Sequence, residues 1–169
     1  MTCIKCGKSL QKKTVPLYKY RECGLDNVFL FDMVEEYICS CGKKYYEFPP
    51  LDIVYLAITY QILNQQTSLN AKQFRFLRKW AGLTAIQLTT LLGKGSRVTI
   101  SNWERDRKPI PPATDHAMRM LVLNLMLSRA GMPLMDEVDF KEWLKGIGSK
   151  ARPTKINIDS KMIEKFQTA

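Results

Sequence analysis

Histidine is nearly missing from this chain, with His116 the only one among 169 residues. That shortage removes the paired-histidine metal motifs and the commonest general base at neutral pH. At the start of a long helical stretch, His116 reads as a packing or surface residue. A phosphate-cradling loop is missing as well, because Gly93-Lys94-Gly95-Ser96 does not have the Walker spacing. An enzyme is therefore not expected. No apolar run reaches the roughly 18 residues that a membrane span requires. The opening MTCIKCGK has none of the apolar character of a secretory leader. These absences give a cytoplasmic protein with no membrane partner as the expectation, and no internal repeat is visible.

Acidic residues are the second shortage: 26 Lys and Arg stand against 16 Asp and Glu, a formal net charge of +10. The excess is concentrated. Residues 1–50 carry eight basic against six acidic side chains, whereas residues 70–110 carry nine against two, Glu104 and Asp106. A basic segment with helical periodicity is either a solvated face or a surface that meets phosphate.

Hydrophobic residues make up 46% of the chain, enough to bury a core in one ordinary domain or two small ones. Residues 1–50 are rich in Lys, Gly, Tyr and Cys, and alternating runs such as Asn27-Val28-Phe29-Leu30-Phe31 and Glu36-Tyr37-Ile38 predict short strands. Phe48-Pro49-Pro50 stops that pattern, since proline has no ladder donor. Residues 51–69 read as a linking helix over 51–65, with Asp52 its N-cap, and a polar connector. Residues 70–130 read as a helical domain, and 131–169 as a further helix over 136–145 with a tail whose 159–166 stretch has helical character on a partner. The expected fold is thus mainly α, with a small β domain at the N-terminus.

Within 70–130, Asn70 opens a helix carrying Phe74, Leu77 and Ala81 on one face, and Gly82 closes it. Thr84 with Gln87 three residues on forms a capping box for a second, brief helix through Ile86, Leu88, Leu91 and Leu92. Gly93-Lys94-Gly95 supplies a permissive turn. Ser96 caps a third helix over 97–105, with Ile100 and Trp103 facing inward. Prolines 109, 111 and 112 separate it from a long helix over 113–130, in which Met118, Leu121, Leu125 and Met126 are either monomer core or a dimer interface. Two short helices joined by a glycine turn suit a major groove about 12 Å wide.

Five cysteines in a reducing compartment point to a metal rather than to disulfides. Cys3-Ile4-Lys5-Cys6 has the spacing of a zinc knuckle, and Cys39-Ser40-Cys41-Gly42 lies 33 residues downstream. Cys3, Cys6, Cys39 and Cys41 would close an all-thiolate site around a structural Zn2+. The second pair is one residue shorter than usual, so a site that uses Cys23 instead, or no metal, are the alternatives.

The residues Leu77-Arg78, Gly82-Leu83-Thr84, Leu91-Leu92-Gly93 and Thr99-Ile100-Ser101-Asn102-Trp103-Glu104-Arg105 closely resemble the Cro/repressor-like (XRE) helix-turn-helix family, whose lambda-repressor-like fold binds DNA. The resemblance covers about a third of the chain. It implies that Ile100 and Trp103 anchor the recognition helix and that Arg78 pairs with Glu104. It also implies that Ser96, Arg97, Val98 and Asn102 face DNA. Arg97 then suits guanine, Asn102 adenine or phosphate, and Val98 a thymine methyl, with Thr84 and Thr99 completing the set. Arg105 and Lys108 would hold the phosphate backbone. Asp106 stands where that family commonly has glycine.

An N-terminal cysteine ribbon followed by such a helix-turn-helix, together with Glu22-Cys23-Gly24-Leu25-Asp26-Asn27-Val28, resembles the MqsA-type (YgiT-type zinc finger) antitoxin and regulator family. By that resemblance the chain would form a homodimer on a palindromic double-stranded DNA operator and repress its own operon, while the ribbon would bind a toxin protein or stabilise the dimer. A non-catalytic adaptor, using ribbon and helices to bind another protein without reading DNA, is the competing expectation.

Overall fold

The computed structural model describes residues 1–93, 95–129, 147 and 155–167. The helix expected over 136–145 lies outside them. Helices and one small four-stranded sheet make up the described chain, which divides into two compact units: Met1–Arg21 with Asp26–Ile58 and Lys155–Ala169, and Glu22–Leu25 with Thr59–Thr154. The division falls inside the first helix, between Ile58 and Thr59.

In the first unit, β1 (Gln11–Lys19) pairs antiparallel along one edge of β2 (Val28–Ile38), and β3 (Lys44–Glu47) pairs antiparallel with the last residues of the other edge. The register slips between Val15 and Leu17, where Pro16 has no N–H to offer β2. Opposite this slip, Asp32 takes a φ of +52°. Strict alternation would bury Asp32 together with Val28, Leu30 and Val34, all at 0% exposure. The bulge instead leaves its carboxylate exposed.

The tail behaves differently from its sequence expectation. Ile156–Ile158 forms β4, which pairs parallel with Val28–Leu30, and Ser160–Gln167 forms a short helix, α6. The helical character of 159–166 is present, but on this chain's own sheet unit. Ile156, Ile158 and Ile163 are 1%, 0% and 6% exposed, so the tail completes a core that the first fifty residues begin. Nothing in the sequence around them names their partner.

The remaining helices are α1 (Leu51–Asn64), α2 (Ala71–Trp80), α3 (Ala85–Leu92), α4 (Arg97–Glu104) and α5 (Pro112–Arg129). Reciprocal capping boxes start three of them: Asn70 with Gln73, Thr84 with Gln87, and Ser96 with Thr99. Phe74, Leu77, Leu88, Ile100, Met118 and Val122 are fully buried, and the Trp103 ring meets Phe74 edge-on at 5.9 Å. Arg78 ties the unit together through two bonds to Glu104, at 2.5 and 3.0 Å, and one to the Leu83 carbonyl at 2.6 Å. The pair that the family resemblance implies is therefore present.

α4 ends at Glu104 with Arg105 as its cap, and Asp106 then turns the chain with a φ of +58°, the left-handed region that favours glycine. The position at which the resembled family commonly has glycine thus needs that conformation here too. Asp106→Val should lower unfolding stability by about 1–2 kcal/mol, the order of the left-handed penalty for a side chain that cannot relieve it locally. Asp106→Gly should leave stability within about 0.5 kcal/mol of the parent in urea unfolding, because glycine's greater freedom in the unfolded chain offsets its native advantage.

Candidate metal centre and nucleic-acid interface

Two backbone turns of matching design present the four sulfurs. In the first, the Gly7 amide donates to the Cys3 carbonyl at 2.8 Å and the Cys3 amide to the Lys8 carbonyl at 2.8 Å. In the second, Gly42 donates to the Cys39 carbonyl at 2.9 Å and Cys39 to the Lys43 carbonyl at 2.9 Å. The second turn closes with one residue fewer between donor and acceptor, so the short Cys-x-Cys spacing is absorbed in the backbone. Gly7 and Gly42 both have positive φ, +71° and +83°, which lets each Cys-Gly-Lys run fold back.

The Sγ atoms of Cys3, Cys6, Cys39 and Cys41 all lie within 4.8 Å of one another. Cys6 and Cys39 approach to 3.4 Å, and Cys3 and Cys41 to 3.7 Å. A tetrahedron of sulfurs about 2.3 Å from a zinc ion has edges of about 3.8 Å, so this donor set fits a tetrahedral metal ion. Cys23 lies outside the group, in the other compact unit.

The Tyr45 hydroxyl, on β3, stands 3.5 Å from Cys3 Sγ. By donating to the sulfur it holds the Cys3 thiol down at about 6, with further help from the Cys6 and Lys5 amides against burial. Cys6 behaves in the opposite way. The Lys8 amide favours its thiolate, but Cys39, burial, Cys41 and Cys3 together push it up to about 12. Four thiolates this close repel one another, and a divalent cation removes that repulsion. Tyr45 was not legible as part of the site. The only signal for it is its place four residues after Cys41, beside the turn.

The expected DNA-facing residues distribute along α3 and α4. Ser96, Arg97 and Val98 are exposed at the start of α4, Val98 at 67%. Arg105 and Lys108 are exposed past its end, as is Arg107. Asn102 is half-buried, which leaves it less side chain to offer than Arg97. Thr84 and Thr99 are occupied: the Thr84 hydroxyl accepts from the Gln87 amide at 3.2 Å, and the Thr99 hydroxyl accepts from the Ser96 amide at 3.2 Å. Both take part in the capping boxes that start α3 and α4, as does Ser96, whose hydroxyl accepts from the Thr99 amide at 3.3 Å.

Of the residues open to a core or an interface role, Met118 is at 0% exposure and belongs to the core. Leu121, Leu125 and Met126 are half-buried. No helix among the described residues is long and apolar enough to cross a membrane. Comparison with models of known protein families, with curated proteins and with solved structures found no match.

Proposed function

We propose that the chain is a sequence-specific DNA-binding regulator, read as a repressor, in which α4 is the recognition helix of a Cro/repressor-like helix-turn-helix. The observation that carries this reading is the two-sidedness of α4. Ile100 and Trp103, 0% and 6% exposed, fasten one side to the unit, while Val98 stands in solvent on the opposite side and Ser96 and Arg97 are exposed at the helix's N-terminal end. Exposed Arg75 and Lys79 on α2, with Arg105, Arg107 and Lys108 after α4, supply cations for phosphate.

In this reading Arg97 contacts a guanine edge, Val98 a thymine methyl, and Arg105 and Lys108 the backbone. The four cysteines hold a structural Zn2+ in a ribbon-like unit, since a site filled by four protein sulfurs keeps no position open for water. The chain forms a homodimer on a palindromic operator, in keeping with the antitoxin family it resembles, and a toxin is the further partner.

Selection of bound duplexes from a random pool tests binding, specificity and palindromy together. Arg97→Ala with Asn102→Ala should then cost roughly 1 to 3 kcal/mol per lost base contact and flatten sequence preference. Lys108→Ala should weaken all duplexes about equally and reduce the salt slope by about one unit. Unchanged affinity of the double variant for a selected site would remove Arg97 and Asn102 from the interface.

One observation favours the adaptor reading. Ile86 and Leu91 on α3 are 62% and 58% exposed, more apolar surface than a short surface helix needs. An adaptor would show no duplex binding at physiological salt.

A further inference from the structure

The four cysteines differ in exposure, and the difference is paired. Cys3 and Cys39 are each 2% exposed, whereas Cys6 and Cys41 are exposed. The contacts at 3.4 Å (Cys6 to Cys39) and 3.7 Å (Cys3 to Cys41) each join the sulfur of an exposed cysteine to that of a buried one, and each runs from one turn to the other. An oxidant that reaches the sulfur of Cys6 or Cys41 therefore finds a second sulfur on the far turn.

We propose that this cluster is also a thiol modification site for hydroperoxides, whose oxidised form carries the cross-turn disulfides Cys6–Cys39 and Cys3–Cys41. This rests on the same four residues as the metal reading but not on DNA binding. In the first step Cys6, deprotonated when it ligates a cation, attacks an oxygen of hydrogen peroxide, the O–O bond breaks, and hydroxide leaves as water after protonation. The sulfenic acid formed on Cys6 is then attacked by the Cys39 thiolate. The S–S bond forms as the S–O bond breaks, and a second hydroxide leaves as water. Two thiolates, one peroxide and two protons thus give one disulfide and two waters. Cys41 and Cys3 react in the same way with a second peroxide. Sulfurs so engaged have no thiolate left for a cation, and a bound metal is released.

Pairing within a turn is the rival outcome. A Cys39–Cys41 disulfide would close across the single residue Ser40, and the turn that the Cys39 and Gly42 amides hold would have to distort to reach disulfide geometry. The cross-turn pairs instead join sulfurs that already face each other.

The test uses the full chain, loaded with zinc and assayed for metal before oxidation. It is treated with rising hydrogen peroxide, alkylated, and mapped without reduction. Trypsin cuts after Lys5 and separates Cys3 from Cys6, while fragmentation of the downstream peptide separates Cys39 from Cys41. The expected result is Cys6 joined to Cys39 and Cys3 to Cys41, both reversed by dithiothreitol, with one zinc per chain appearing in a chromogenic indicator as the disulfides form. Predominant Cys3–Cys6 or Cys39–Cys41 links, or sulfinic and sulfonic acids without disulfide, would overturn the proposal. Zinc well below one per chain before oxidation would overturn the metal reading alone, and the same cross-turn pairs in that metal-free protein would still support the sulfur pairing. Cys6→Ser should abolish the Cys39 link and leave Cys3 joined to Cys41; its failure to do so counts against the assignment.

Discussion

Arg119→Met is expected to destabilise the helical unit by about 3–5 kcal/mol, the range for removing one partner of a buried ion pair. Arg119 is 0% exposed, on α5. Its Nε donates to Asp115 Oδ1 at 2.7 Å, Nη1 to the carbonyls of Ile62, Leu63 and Gln65 at 2.8, 3.1 and 3.1 Å, and Nη2 to the Thr67 carbonyl at 2.7 Å. Ile62 and Leu63 lie in the last turn of α1, where carbonyls have no partner inside the helix. Asp115 Oδ2 in turn accepts from the Leu69 amide at 2.7 Å. One guanidinium therefore satisfies the end of α1 and the connector after it, and its loss strands a buried carboxylate.

Lysine should not rescue the loss, because a single ammonium cannot reach donors spread over the width of a guanidinium. Urea unfolding of Arg119→Met, Arg119→Lys, Asp115→Asn and the Arg119–Asp115 double variant checks this. The double variant should cost less than the sum of its singles. A loss below about 1 kcal/mol in Arg119→Met would mean that the network contributes little.

The other large effect concerns Cys39. Cys39→Ser should reduce bound zinc from one per chain to a small fraction and loosen the sheet unit, since metal binding and folding are one equilibrium in a cysteine site of this size. Elemental analysis together with amide exchange of β2 and β3 reads both changes. Full zinc occupancy in the variant would exclude Cys39 as a ligand.

Acid should act in the same direction as that substitution. In the metal-free protein, the depressed Cys3 thiol contributes stability that is present above its ordinary 9.0 and lost as pH falls through about 6. Cys6, raised to about 12, contributes below 9.0 and loses that contribution as pH rises through 12. Zinc uptake near neutral pH must therefore release protons, that of Cys6 among them, and acidification must release the metal.

Much of the helical unit was legible because its signals are local. A capping box spans four residues, so Thr84 with Gln87 and Ser96 with Thr99 mark their helix starts without tertiary information. The cysteine site was legible for a related reason: the identity of the donors and the two short spacings are sequence properties, even though the meeting of the turns is not. Arg119 went unnoticed, since a lone arginine in a helical run looks like any surface cation until carbonyls from α1 surround it.

By itself, then, the sequence determined the helix starts, the apolar faces built on Ile100 and Trp103, and the four sulfur donors, because each depends on neighbours a few residues away. Only the tertiary structure decided that Ile156–Ile158 lies beside Val28–Leu30, that Asp32 turns outward at a bulge, and that Tyr45 supports Cys3. Strand pairing and burial are settled by which distant surfaces exclude water together, and a three-residue strand carries no local mark of the partner it will find.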